Sequence, residues 1–218
     1  MTINADITRR VHVKCSGLEW MPSPSRSVLR KRYYLAGPAE SGQVTSLVRY
    51  LPGARFPEHG HPEGEEILVL EGIFTDEGGN WPAGSWLLNP EGYRHSPSSD
   101  QGCLLFVKLR QYTGTLHKVI EVGKPGWRQA GENHYTRLDE YGCVRTGIMT
   151  LPPGGRLVLP SRRGTEGFVL DGSVTVWDET LSRYDWFRAP PEQELVIDSG
   201  GCSLYLTEDG VADLMSVA

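Results

Sequence analysis

The chain repeats itself at a spacing of about 100 residues. Leu51-Pro52-Gly53-Ala54-Arg55-Phe56 is echoed by Leu151-Pro152-Pro153-Gly154-Gly155-Arg156-Leu157, and Val69-Leu70-Glu71-Gly72 by Val169-Leu170-Asp171-Gly172. Gly102-Cys103-Leu104-Leu105-Phe106 returns as Gly201-Cys202-Ser203-Leu204-Tyr205. Three echoes in the same order require two copies of one structural unit, so the 218 residues divide into two domains rather than one large core. The stretch 113–130, around Gly123-Lys124-Pro125-Gly126, has the proline and glycine of a linker and sets the expected domains at 1–115 and 116–218.

Each copy reads as short strands between turns. Thr45 to Leu51 is rich in strand formers and stops at Pro52-Gly53, Glu66 to Leu70 is an apolar run closed at Gly72, and Trp86-Leu87-Leu88 stops at Asn89-Pro90-Glu91-Gly92. Cys103 to Leu109 forms another run, and the second copy offers Val144 to Leu151, Thr165 to Leu170, Val174 to Trp177 and Leu204 to Leu206. The 26 glycines and 15 prolines punctuate these runs, and no segment has the periodicity of a useful amphipathic helix. The expected fold class is all-β, two tandem barrels.

Charge and composition exclude several functions. A net charge of −5 argues against direct nucleic-acid binding, and Arg30-Lys31-Arg32 is too short for a basic face and reads as a solvated strand edge. The N-terminus has no apolar leader-like segment and no window has the length of a membrane span, so the expected location is cytoplasmic. Cys15, Cys103, Cys143 and Cys202 form no C-x-x-C pair and read as free thiols.

The chemistry is concentrated in the first copy. Gly53 is followed at fixed spacing by His59, His61, Glu65 and Gly72, and Gly84 by Pro90, Gly92 and His95. His59 and His61 are two apart, so on a strand both project to one face. A turn through Pro62-Glu63-Gly64 returns Glu65 beside them, and the turn at Pro90-Glu91-Gly92 feeds a strand carrying His95. Strand parity pairs Glu65 with Ile67 on the inner face, whereas a one-residue slip would turn Glu66 inward instead. Inward imidazoles and a carboxylate need a partner, and one divalent transition metal suits all four. His12, His117 and His134 stand outside this spacing and read as surface or hydrogen-bonded residues.

These two segments match the paired motifs of the cupin superfamily, G-x5-H-x-H-x3-E-x6-G and G-x5-P-x-G-x2-H, with Ser99 where that pattern often has Asn. The resemblance implies jelly-roll barrels. Over residues 18–112 the chain more narrowly resembles the cupin domain of ChrR-type anti-sigma factors. The carrying segments are Trp20 to Pro24, Arg30-Lys31-Arg32, Thr45 to Tyr50, His59 to Gly72 and Gly102 to Lys108. That resemblance implies a zinc-like ion on His59, His61, Glu65 and His95, with iron or manganese as the other candidates. It also implies a regulatory or sensory metal module with a regulatory protein partner. The cupin-like sequence begins near residue 18, so the N-terminal sigma-binding domain of that family is not expected here.

Related cupins include non-haem iron dioxygenases that cleave small diketones or hydroxyketones, which makes an enzyme the alternative. Phe56, Phe74, Trp81, Trp86 and Tyr93 would then shape the pocket, with Arg55 or Arg94 anchoring an anion. A third reading is a small-molecule binding module without chemistry. In the second copy Leu159, Ser161, Thr165 and Leu195 fall opposite the four donors, with Glu166 the one acid a gap could restore, so a degenerate, metal-free and structural domain is expected. Phe168, Trp177, Tyr184, Trp186 and Arg162 are its pocket candidates, with core packing the competing reading. A homodimer is a further expectation, since single cupins pair.

Overall fold

Glycine and proline stops leave room only for strands, and strands are what forms. The computed structural model describes residues 2–123 and 133–215, and among them the only helical segments are two short 3-10 turns, Cys15–Gly17 and Val211–Asp213. The expected all-β architecture of two tandem jelly-roll barrels is the one adopted. None of the described helices is long and apolar enough to cross a membrane.

The first unit comprises Met1–Ala5 and Leu18–Pro125. Its main sheet runs Lys118–Glu121, Ser85–Asn89, Glu65–Asp76, Cys103–Leu109, Gln43–Tyr50, Val28–Ala36, Met21–Pro22, every pair antiparallel. A separate two-stranded ribbon pairs His59–His61 with Tyr93–His95. Inside, Val28, Val48, Ile67, Val69, Phe74, Leu87, Leu105 and Val107 form one apolar cluster.

The second unit comprises Asp6–Gly17 and Gly126–Ala218. Its sheet runs Val11–Val13, Trp186–Ala189, Thr165–Val176, Leu195–Glu208, Val144–Leu159, His134–Tyr141. This is the order of the first sheet up to Val28–Ala36, with no counterpart of Met21–Pro22 among the described residues. The core is Leu151, Leu159, Val169, Val174, Val176, Leu181, Phe187, Leu195, Ile197, Leu204 and Leu206.

The division therefore differs from a single cut at 115. Val11–Val13 bonds to Trp186–Ala189 in the position that Lys118–Glu121 holds in the first sheet, so residues 6–17 belong with the second unit. Local composition gives no hint of this, because a three-residue strand carries no signal of which sheet it joins. Of the expected linker, Lys124-Pro125-Gly126 lies outside the described residues.

The repeat extends to backbone detail. Gly72 and Gly172 both take φ +74, and a Cβ built there would lie 2.1 Å and 1.8 Å from the carbonyl oxygens of Gly102 and Gly201. Only glycine permits that conformation together with that approach. Replacing either by alanine should cost about 2–4 kcal/mol, combining a left-handed residue with a backbone clash. Urea denaturation of Gly72→Ala and Gly172→Ala checks this, and a loss below about 0.5 kcal/mol in either would contradict it.

Candidate metal centre

The register of one ribbon brings two histidines together. His59 and His95 are direct cross-strand partners, and His61 faces Tyr93. The connection out of the ribbon turns through Glu63 and Gly64, both at positive φ, and delivers Glu65 to the start of the long strand Glu65–Asp76. The Gly64 and Gly92 amides both donate to the His61 carbonyl, which ties the two turns to the ribbon.

Strand parity resolves the choice between neighbouring acids. Glu65 is buried with Ile67 and Val69 on the inner face, while Glu66 accepts from the Trp86 indole N–H at 3.0 Å. Ser99, at the position where Asn is common, is buried and donates to the Ile73 carbonyl at 2.6 Å, so it serves as a structural clip.

The donor atoms converge. One ligand nitrogen from each of His59, His61 and His95 lies within 4.8 Å of the others. His61 Nε2 and His95 Nε2 are 2.9 Å apart, and Glu65 Oε2 is 3.4 Å from the first and 3.5 Å from the second. An ion about 2.1 Å from each donor would separate them by about 3.0–3.4 Å, close to the spacing of the His61, His95 and Glu65 atoms. His61 and His95 are buried and His59 is half-buried, with Phe56 packed edge-on to it at 5.0 Å.

Tautomers follow from what the other ring nitrogens meet. His59 Nδ1 lies 2.9 Å from the Pro57 carbonyl and His95 Nδ1 lies 3.3 Å from Asp76 Oδ2. Each Nδ1 therefore carries a proton that it donates, and each Nε2 presents a lone pair. Lone pairs and a carboxylate oxygen thus face one another inside the barrel. A shared proton would supply one positive charge at that point. A divalent ion would supply two and bind all the donors.

The electrostatics agree. Burial, with the His95 charge adding to it, lowers the His61 pKa to about 3. Burial also lowers His59, and it raises Glu65 against the pull of His95 and the Asn89 amide. Burial lowers His95 as well, but the hydrogen bond to Asp76 and the charge of Glu65 outweigh it and leave His95 above the ordinary value of 6.5.

Two positioning residues were missed by sequence reasoning. Asp76 accepts from His95, from the Trp81 indole at 2.9 Å and from the Gly78 amide at 2.9 Å. Asn89, the cross-strand partner of Glu65, donates to its Oε2 at 3.0 Å. Asp76 reads in sequence as an ordinary hairpin residue before Gly78-Gly79, and Asn89 as a turn residue before Pro90, so neither carried a signal of its own.

The donors line a cavity of about 380 Å³. Its other walls include Val28, Val44, Val48, Tyr50, Phe56, Ile67, Phe74, Leu105 and Val107. Tyr50 was not foreseen. Burial, reinforced by the Glu65 carboxylate, raises its pKa strongly, so it lines the cavity as a neutral phenol. Of the expected pocket residues, Phe56 and Phe74 are in the wall, whereas Trp81 bonds Asp76, Trp86 is fully buried against Glu66 and Tyr93 stacks on His117 at 5.0 Å.

The expected anion anchors are corrected. Arg55 and Arg94 are exposed and pair with Asp100 and Glu58, because both sit on the outer side of their strands. Arg30 and Arg32 line the cavity instead, which also corrects the solvated-edge reading of that cluster. The other histidines stay apart, with His12, His117 and His134 all exposed. The four cysteines are free thiols, Cys103 and Cys202 buried, and burial lifts the Cys103 thiol to about 11.

The second unit preserves the frame and replaces the donors. Leu159 and Leu195 are cross-strand partners, as His59 and His95 are. Ser161 bonds Thr165 at 3.2 Å where His61 faces Glu65, and Thr165 pairs with Ala189 where Glu65 pairs with Asn89. Val176 stands in the place of Asp76. Of the pocket candidates there, Phe168 and Trp186 are fully buried core residues, while Trp177 and Tyr184 are half-buried.

The family model for the ChrR cupin-like domain matches residues 8–113. No curated protein sequence matches. Among solved structures, a bacterial pirin, YhhW of Escherichia coli in complex with nickel(II), superposes at a TM-score of 0.69 with 17% identity, covering 96% of this chain and 100% of that one. Salicylate 1,2-dioxygenase of Pseudaminobacter salicylatoxidans gives 0.62 and 17% over 94% and 85%. A mutant of oxalate decarboxylase from Bacillus subtilis gives 0.62 and 12% over 92% and 77%. At these identities the likeness is one of fold.

Two outcomes follow for metal binding. The His95 proton is the one an entering ion must displace, so apparent affinity should fall about tenfold per pH unit once pH drops below the raised His95 pKa. Chelator-competition titrations from pH 8 to 5 check this, and constant affinity across that range would contradict it. Asp76→Asn at pH 8 should weaken binding about 10- to 100-fold by releasing the His95 ring, and unchanged affinity would remove Asp76 from the site.

Proposed function

We propose that the chain, whose first half resembles the ChrR cupin-like domain and whose fold is that of cupins, binds one divalent transition metal through His59, His61, Glu65 and His95. We further propose that the ion presents itself to a small oxygen-bearing molecule in the adjoining cavity, as in a non-haem iron dioxygenase of small diketones or hydroxyketones. The observation that carries this reading is that His59, His61, Glu65 and His95 line a largely apolar cavity rather than being sealed in a core. A purely structural ion needs no such space.

When bound, the ion would polarise chelated oxygens and, as iron, provide a redox-active centre for reaction with dioxygen. The chain's own residues supply the rest. Asp76 and the Pro57 carbonyl orient His95 and His59, and Asn89 orients Glu65. Phe56, Phe74, Ile67, Val48 and Leu105 give the cavity apolar walls. Tyr50, held protonated, offers a hydrogen-bond donor on the same wall.

A second reading is a regulatory or sensory module, in which the same ion and cavity report a metal or small molecule to a protein partner. The match to the ChrR cupin-like domain favours it. The two readings share the metal site and divide on turnover.

Protein purified without added metal should carry about one zinc, iron or manganese ion per chain by elemental analysis. His61→Ala should empty the site and leave the strand signature in circular dichroism. Loaded with Fe(II), the wild type should consume oxygen with 2,4-pentanedione or a related diketone. Absence of uptake across a panel of diketones and hydroxyketones would contradict the dioxygenase reading and leave the sensory one.

A further inference from the structure

We infer that the small molecule of this cavity carries a carboxylate, received by Arg30 and Arg32 away from the metal donors. The inference rests on the proposed function for the chelating end of the ligand and adds the chemistry of its other end. On the strand Val28–Ala36 the side chains alternate. Lys31 projects to the outer face, where its ammonium and the Arg49 guanidinium lie 5.1 Å and 4.3 Å from the centre of the Trp20 ring. Arg30 and Arg32 project with Val28 to the inner face and line the same cavity as His59, His61, Glu65 and His95. Their side chains are only 19% and 15% exposed, so both charges are largely removed from water.

The structure shows how this pair receives a carboxylate. Glu40, in the turn between Val28–Ala36 and Gln43–Tyr50, gives Oε2 to Arg30 at 2.7 Å and Oε1 to Arg32 at 3.1 Å. Two guanidiniums thus hold one carboxylate, oxygen by oxygen, in the charge-assisted geometry that arginine favours. Glu40 itself is 50% exposed, and an ion pair held at that exposure contributes little and is readily exchanged. A ligand carboxylate inside the cavity would make the same bonds with less competition from water. Arg110 also lines the cavity but is paired with Glu63 at 3.7 Å, so Arg30 and Arg32 are the two guanidiniums there that share a single carboxylate, Glu40. Val28, Val44, Val48, Leu105 and Val107 line the same cavity and give it apolar wall. The matching ligand has oxygen chelators at one end, a short apolar body and a carboxylate at the other.

The probe is 4,6-dioxoheptanoate, a β-diketone with a distal carboxylate, compared by calorimetry with its neutral methyl ester on the metal-loaded full chain. The acid should bind about tenfold tighter than the ester, the scale of one or two charge-assisted bonds. Arg30→Gln and Arg32→Gln should abolish the difference while leaving the ester unchanged. Glu40→Gln should strengthen the acid alone, because it removes the internal competitor. Equal binding of acid and ester to the wild type would overturn the carboxylate assignment and leave the metal-chelation reading intact. If neither compound binds, the chelation reading fails, and hexanoate against hexanamide then decides the arginine pair. Preferential hexanoate binding that Arg30→Gln removes upholds it, and no preference overturns it.

Discussion

Ring nitrogens of His59, His61 and His95 and an oxygen of the buried Glu65 carboxylate converge inside the first barrel, and a positive centre among them would satisfy all four at once. His61 and His95 bond each other and Asn89 bonds Glu65, but these contacts leave donor atoms crowded at 2.9–3.5 Å that a cation would bind jointly. Everything else near the site serves this convergence. The ribbon sets His59 against His95, the turn at Glu63-Gly64 brings Glu65 round, and Asp76, Asn89 and the Pro57 carbonyl fix which atoms face inward.

The second unit supplies an internal control. It keeps the strand order, the glycine at the crossing of Gly172 and Gly201, and the cross-strand pairing of Leu159 with Leu195. It lacks the donors, and it also lacks their supports, with Ala189 for Asn89 and Val176 for Asp76. Donors and supports change together, as expected if Asn89 and Asp76 exist to orient ligands rather than to hold the barrel. The barrel is held by its apolar interior, which both units possess.

Much of this was legible in the sequence, for identifiable reasons. The repeat exposed the two barrels because Gly72 and Gly172 answer a backbone requirement no other residue meets. The donors were legible because His59, His61, Glu65 and His95 lie at spacings fixed by a ribbon and two turns. The exchange of residues 6–17 into the second sheet was not legible, since Val11–Val13 is too short to declare its partner. Asp76 and Asn89 were hidden because acid and amide side chains at turns are ordinary. Arg30 and Arg32 were misread because strand parity, not local charge, decides which side of Val28–Ala36 meets the cavity.

Crystals grown with the bound ion and measured on both sides of its absorption edge test the central claim most directly. A single anomalous peak bonded to His59, His61, Glu65 and His95 in the first barrel is the predicted result. A peak on other residues, or a metal-free barrel whose imidazoles bond only to each other and to Glu65 at full metal saturation, would contradict it.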